Sequence, residues 1–307
     1  MKRLIRITLK VILGLVLLFA AAVAFLWWYD HAGQKSDPNF DATVQHPAYP
    51  GDHPKVLIDK AHRNFHTASD KYKPFADLLK NDGYIVAEND QLFSPEGLKG
   101  TDVLVIANAL GPGGHETRPA FSPEEEAAVA EWVRGGGSLL LIADHAPFGA
   151  AAKRLAERFG VTMHLRFARD DRFHDGWDNE RLLFSRDNGL LNDCSITNGR
   201  NTSERVNRVV TFTGQSLSGP SASIPLLRLS DEAYDWESRK VRFPAQGHTQ
   251  ALALKYGKGR TVVAGEAAFF TAQVDALGLK FGMNRAGNDD RQFVLNIMHW
   301  LSGLLEP

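Results

Sequence analysis

One stretch does most to limit what this chain can fold into: residues 135–149, GGGSLLLIADHAPFG, where a triple-glycine stop precedes an unbroken apolar run that ends in aspartate and histidine. A short apolar run bounded by turn residues reads as a strand buried on both faces, and such strands belong to parallel sheets covered by helices. Open α/β sheets bind ligands at the carboxyl ends of their strands, so Asp144 and His145 stand where chemistry is expected.

The same pattern recurs along the chain. Lys55 to Asp59 (KVLID), Tyr84 to Glu88 and Asp102 to Ala107 read as strands. Helices are expected from about Pro74 to Asp82, after Ser122, and from about Ala150 to Phe159. Ser122-Pro123-Glu124-Glu125 has a capping serine, proline at the first helical position and glutamate at the third, which together form a capping box. This alternation predicts an α/β fold with a parallel sheet flanked by helices on both faces. The pattern breaks at residues 166–244, which read as a β-rich, irregular insertion. Gln250 to Tyr256 and Arg260 to Ala264, joined through Gly257-Lys258-Gly259, predict a hairpin that ends at Gly265-Glu266. A last helix is expected from about Asp290 to Leu304, with Phe293, Ile297, Trp300, Leu301 and Leu304 on one face.

Ahead of this domain, residues 1–10 form a basic tail with Lys2, Arg3, Arg6 and Lys10. Residues 11–29 carry no charge and close on Trp27, Trp28 and Tyr29. That run is about the ~20 residues a bilayer-spanning helix needs, and its aromatic end suits an interface. The expectation is a single-pass inner-membrane anchor, with the C-terminal domain periplasmic or otherwise extracytoplasmic. A cleaved signal peptide competes with it, because Ala20-Ala21-Ala22 and Ala22-Val23-Ala24 resemble cleavage sites. Residues 30–54, with four prolines, form a linker, and residues 55–307 the folded domain. A formal charge of -1 over 307 residues gives no electrostatic footprint for nucleic acid, which is not expected as a partner. The single cysteine, Cys194, cannot form an internal disulfide.

If the sheet is parallel, its strand ends gather Asp59, His62, Asn64 and His66, then Asn108, then Asp144 and His145, then Glu266. Carboxylates and imidazoles grouped in this way suit general acid and base catalysis or a divalent metal. Asp144, His145, Glu266 and His62 are the catalytic candidates. Asp59, Asn64, His66 and Asn108 are candidate ligand-binding residues, for a small molecule or an envelope polymer. His66, Asp144, His145 and Glu266 are the candidates for holding a metal. Glu266 lies between Gly265 and two alanines, small neighbours that leave room for a ligand. The same residues also have ordinary uses: strand-end aspartates accept N–H groups from the next loop, and loop histidines are often solvated. No HExxH, P-loop or GxSxG motif is present.

FHTASDKYKPFADLLKNDGY, DVLVIANAL, FSPEEEAAVAEWVRGGGSLLLIADHAPF, GKGRTVVAGEAAFFTAQ and QFVLNIMHWLSG resemble the bacterial DUF4350-type proteins, of the class I glutamine amidotransferase-like superfamily. The resemblance covers most of the chain beyond the apolar run. It implies a flavodoxin-like sheet, in a superfamily that includes glutaminases, proteases, sugar-utilisation proteins and non-catalytic scaffolds, so fold does not fix function. A glutaminase of that superfamily needs a cysteine at a sharp turn after a central strand. The corresponding turns carry Ala107-Asn108-Ala109 and Ala143-Asp144-His145, and Cys194 lies in the insertion. The expectation is therefore a membrane-anchored, hydrolase-like enzyme acting on a polar envelope or carbohydrate-like substrate, not a cysteine-dependent glutaminase. The alternative is a non-catalytic ligand-binding or scaffolding module of the envelope.

Overall fold

The computed structural model describes residues 8, 10, 12, 14–25, 33–112, 118–177, 179–238 and 241–306. The strands that build and flank the site are β1 (Lys55–Asp59), β2 (Ile85–Asn89), β3 (Val103–Ala107), β4 (Ser138–Ile142), β5 (Thr162–Met163), β6 (Phe167–Arg169), β7 (Leu217–Ser218), β8 (Ile224–Arg228), β9 (Tyr234–Ser238), β10 (Thr249–Tyr256) and β11 (Gly259–Ala264). The main helices are α1 (Lys73–Asn81), α2 (Pro123–Gly135), α3 (Phe148–Arg158) and α4 (Asp290–Leu301).

A nine-stranded mixed sheet runs in the order β2-β1-β3-β4-β11-β10-β7-β5, with β8 also paired to β10. Its first five strands are parallel. This is the order of doubly wound sheets, in which the chain reverses direction across the sheet between β1 and β3 and opens a crevice there. The predicted hairpin forms, with β10 antiparallel to β11, and beyond it the sheet is no longer parallel: β7, β8 and β5 continue in the antiparallel sense. The physical reason is the short turn between Tyr256 and Gly259, since a parallel connection needs a crossover of a dozen or more residues. The segment 166–244 supplies β7 and β8 to this sheet and β6 and β9 to a smaller one, of which Val241–Pro244 is the third strand.

Side-chain alternation along the strands creates two cores. Val103, Val105 and Ala107 of β3 join Phe75 and Leu78 of α1 and Phe293 and Trp300 of α4. Leu104 and Ile106 face the other way, with Val129 and Val133 of α2 and Leu155 of α3. Truncating one of the buried aromatics to alanine costs about 3–5 kcal/mol. The capping box forms: Ser122 Oγ accepts from Glu125 N at 3.2 Å, and Glu125 Oε2 accepts from Ser122 N at 3.0 Å. The glycines that close α2 do two jobs. Gly136 takes φ +127°, and a Cβ on Gly137 would fall 2.2 Å from the Trp132 ring.

At the N-terminus residues 14–25 are helical, and Leu15, Leu17, Leu18 and Phe19 are exposed. Among the described residues no helix is long and apolar enough to cross a membrane. Residues 11, 13 and 26–29 of the expected anchor, among them Trp27, Trp28 and Tyr29, lie outside the described residues.

Candidate functional site

The sheet brings Asn108, Asp144 and Glu266 to adjoining carboxyl ends. Asn108 follows β3 directly, is fully buried and takes φ +46°, a conformation in which asparagine is tolerated better than most residues. Its side chain is read twice by Asp144: Asn108 Oδ1 accepts from Asp144 N at 2.9 Å, and Asn108 Nδ2 donates to Asp144 Oδ2 at 2.6 Å. Asp144 Oδ1 accepts from Ala267 N at 2.7 Å, so the carboxyl ties β3, β4 and β11 together. Asp144 remains half-buried.

Glu266 is 1% exposed and accepts from Ala268 N at 2.5 Å and Phe269 N at 3.0 Å. The room expected beside it is filled. A Cβ on neighbouring Gly214 would come 2.6 Å from Glu266 Cβ, and one on Gly265 would come 2.4 Å from Gln215 O. Burial raises the Asp144 pKa from 3.8 to about 7, with the bonds from Asn108 and Ala267 offsetting part of the rise. Burial, and then the charge of Asp144, push Glu266 well above the usual carboxylate range. Burial is the leading cause at both carboxyls, and each holds its proton to higher pH than an exposed carboxyl does.

The remaining candidates fall into separate environments. His62 is held between Asp59, at 2.9 Å from Nδ1, and Glu125, at 2.8 Å from Nε2. Burial opposes its charge, but the two carboxylates outweigh burial and hold its pKa above the ordinary value. With both ring nitrogens taken, His62 ties the β1 loop to the start of α2. Asn64 Nδ2 donates to Ala107 O at 3.2 Å, just below Asn108. His66 packs on the Phe65 and Tyr72 rings, and its buried Nδ1 has no partner among the described residues. Burial, reinforced by Lys71, lowers its pKa to about 3, so the ring is neutral. His145 is turned towards the insertion, with its ring 4.0 Å from that of Phe167 and Nδ1 2.6 Å from Ala146 O.

His66, Asp144, His145 and Glu266 do not gather as a metal-binding set. Among the described residues, the three or more ligating side chains that do come together are His164, Asp235 and His248. The reason is visible in the contacts. The carboxylates are engaged by amides, His145 faces Phe167, and His66 is packed among aromatic rings.

Two residues near the site were not singled out from the sequence. Tyr72, fully buried, donates to Ala267 O at 3.1 Å and feels the charges of both carboxyls. Gln215 Nε2 donates to Ala143 O at 2.8 Å and Asp144 O at 2.9 Å, while its Oε1 accepts from Leu165 N at 2.8 Å. Tyr72 carries a weak signal, an aromatic just ahead of a proline-started helix; Gln215 carries none. Clefts of about 510 and 530 Å³ lie away from the strand ends, and neither is lined by Asp144 or Glu266. The glycine-rich turn after Asn108 is described only as far as Pro112; Gly113 and Gly114 lie outside the described residues.

No protein-family model and no curated protein matches this chain. Among solved structures, the mmIFT52 N-terminal domain is similar over 80% of this chain and 97% of its own, at 13% identity and a TM-score of 0.58. The likeness is one of fold. A cytoplasmic protein from Salmonella typhimurium (13% identity, 81% and 98% of the two chains, TM-score 0.48) resembles it more loosely. So does a protein from Bacteroides uniformis called ThuA-like (13% identity, 86% and 95%, TM-score 0.45).

Proposed function

We propose that the chain is a hydrolase-like enzyme of the bacterial envelope in which Asp144 is the general acid and base. One observation carries this reading: Asp144, a partly exposed residue beyond a central strand, at the edge where such sheets bind ligands, has its carboxyl pKa brought by burial to about 7. A group that titrates near the working pH can take a proton from an attacking water and return it to a leaving group. Each Asp144 oxygen accepts one N–H and keeps a lone pair for that exchange. Glu266 is a positioning residue: by holding the amides of Ala268 and Phe269 it fixes the turn that presents Ala267 N to Asp144. The substrate we assign to this edge is polar, of envelope-polymer or carbohydrate-like chemistry.

The proposal includes membership of the flavodoxin-like, class I glutamine amidotransferase-like superfamily, among DUF4350-type proteins. The order of the parallel strands and the resembling sequence stretches support it, and the asparagine and aspartate at its turns, where a glutaminase carries cysteine, set the chain apart from glutaminases. It also includes an anchor at residues 11–29 with the domain outside the cytoplasm. The basic residues ahead of the run and the exposed apolar side chains within residues 14–25 support that placement.

A second reading, a non-catalytic binding or scaffolding module, is favoured by one observation: every carboxylate oxygen of the pair already accepts an internal N–H. Hydrolysis of p-nitrophenyl glycosides and esters and of cell-wall glycan fragments separates the two. Turnover that is lost in Asp144→Asn but kept in His53→Ala, a change at an exposed histidine ahead of β1 whose Nδ1 meets Gly83 O at 2.7 Å, supports the enzyme; no turnover by the wild-type chain on any of these probes favours the module.

A further inference from the structure

Away from the strand-end pair, the insertion brings a second group of ligating side chains together. His164 follows β5, Asp235 lies on β9, and His248 immediately precedes β10. Long-range pairing assembles them: β6 and β9 run antiparallel with Ala168 opposite Asp235, and His164 N donates to Ser216 O at 3.1 Å. The two imidazole rings lie face to face, with 4.1 Å between centroids and 10° from parallel. One ligand atom from each of the three residues falls within 4.8 Å of the others. Asp235 is 2% exposed; its Oδ2 accepts from Ser216 Oγ at 2.8 Å, and its Oδ1 is buried with no partner among the described residues. A buried oxygen left unpaired costs about 1–3 kcal/mol. Beside two imidazoles, the partner that relieves this cost is a cation.

The geometry points to a divalent transition-metal site built by His164, Asp235 and His248. Two histidines and one carboxylate form the donor set of catalytic zinc and non-haem iron sites, which leave coordination positions open. Ser218 Oγ meets His164 Nε2 at 2.8 Å and Ser216 Oγ meets His248 Nδ1 at 3.1 Å, hydroxyls placed to orient the rings. Donors about 2.0–2.2 Å from a tetrahedral ion lie about 3.4 Å apart, and each imidazole binds in its own ring plane, so binding requires the trio to close by about 1.5 Å and one ring to turn out of the stack. The neighbouring cation, Arg166, is engaged by Glu237 at 3.5 Å and by the Phe243 ring at 4.2 Å, which offsets its repulsion of an ion. His248 also lines a cleft of about 510 Å³, whose wall carries Arg172 and Arg228 beside Asp231 and Glu232, so an ion there would face a roomy polar cavity. The site uses no atom of Asp144 or Glu266 and stands whether or not they are catalytic.

The test is titration of the full chain with Co²⁺, followed by displacement with Zn²⁺. One equivalent is expected to bind, with the visible absorption of a four- or five-coordinate ion. Asp235→Asn and His248→Gln should each weaken binding by at least ~100-fold, while His53→Ala leaves it unchanged. Zn²⁺ should also protect His164 and His248 of the wild-type chain from diethyl pyrocarbonate, read by mass spectrometry, which needs no variant to fold. Absence of stoichiometric binding, wild-type affinity in either ligand variant, or equal modification with and without Zn²⁺ overturns the site.

Discussion

Replacing Asp144 by asparagine should convert a pH-dependent penalty into a constant one. In the folded chain burial holds the Asp144 proton to about pH 7, against an ordinary value of 3.8. Unfolded chains release that proton earlier, so the folded state binds more protons across this window and stability falls as pH rises through it. Each unit is worth about 1.4 kcal/mol, and between about pH 4.5 and about pH 7.5 the loss comes to about 3 kcal/mol once partial solvent access is discounted. Asparagine does not titrate, but its amide would face Asn108 Nδ2 where an oxygen accepted before, at a cost of about 1–2 kcal/mol at every pH. The two effects have opposite signs. The variant should be less stable than wild type near about pH 4.5 and more stable near about pH 7.5, crossing between them. Urea unfolding at a series of pH values, followed by tryptophan fluorescence, measures the difference. Taking the difference cancels titrations that the two proteins share. A gap that does not change with pH, or that widens in favour of wild type as pH rises, would refute the reasoning.

Other perturbations follow from the same contacts. Asn108→Ala removes both bonds to Asp144 and puts alanine at a positive φ, so a loss of about 3 kcal/mol in chemical denaturation is expected. Because the Asn108 bond lowers the Asp144 pKa, the same variant should move that titration upward. His62→Ala leaves buried Asp59 and Glu125 without their shared cation and should cost about 3–5 kcal/mol. His62 has a raised pKa, so its stabilisation is lost as pH rises through that value, and the gap to wild type should narrow in alkaline urea melts. Gly137→Ala drives a methyl into the Trp132 ring and should lower the thermal midpoint, with a cost of about 1–3 kcal/mol.

Much of the scaffold is legible in the sequence because it is encoded locally. Buried runs such as VLVIA and SLLLI state their own strands, Ser122 with Glu125 states a helix start, and the polar residue that ends each run marks the sheet edge. Asn108, Asp144 and Glu266 are found in this way. The roles of the histidines are not, because each depends on a distant partner: His62 closes on Glu125 63 positions away, and His145 on the ring of Phe167. Glu125 is recognisable as a capping residue, yet nothing in its own stretch announces that it also receives His62. The His164, Asp235 and His248 group is hidden more deeply. It arises from antiparallel pairings that the insertion makes within itself and with β5, whose short strands carry too little periodicity to reveal their register.

The central claim is that Asp144 keeps its proton to near neutrality at an accessible sheet edge. It is tested most directly by carboxyl-detected NMR titration of the full chain labelled with ¹³C at aspartate Cγ, comparing wild type with Asp144→Asn. The account expects one resonance that titrates near pH 7 and is missing from the variant. If the resonance removed by Asp144→Asn titrates instead near about pH 4, the ordinary aspartate range, Asp144 is an ionised structural ligand of Asn108 and Ala267, and the acid–base site does not exist.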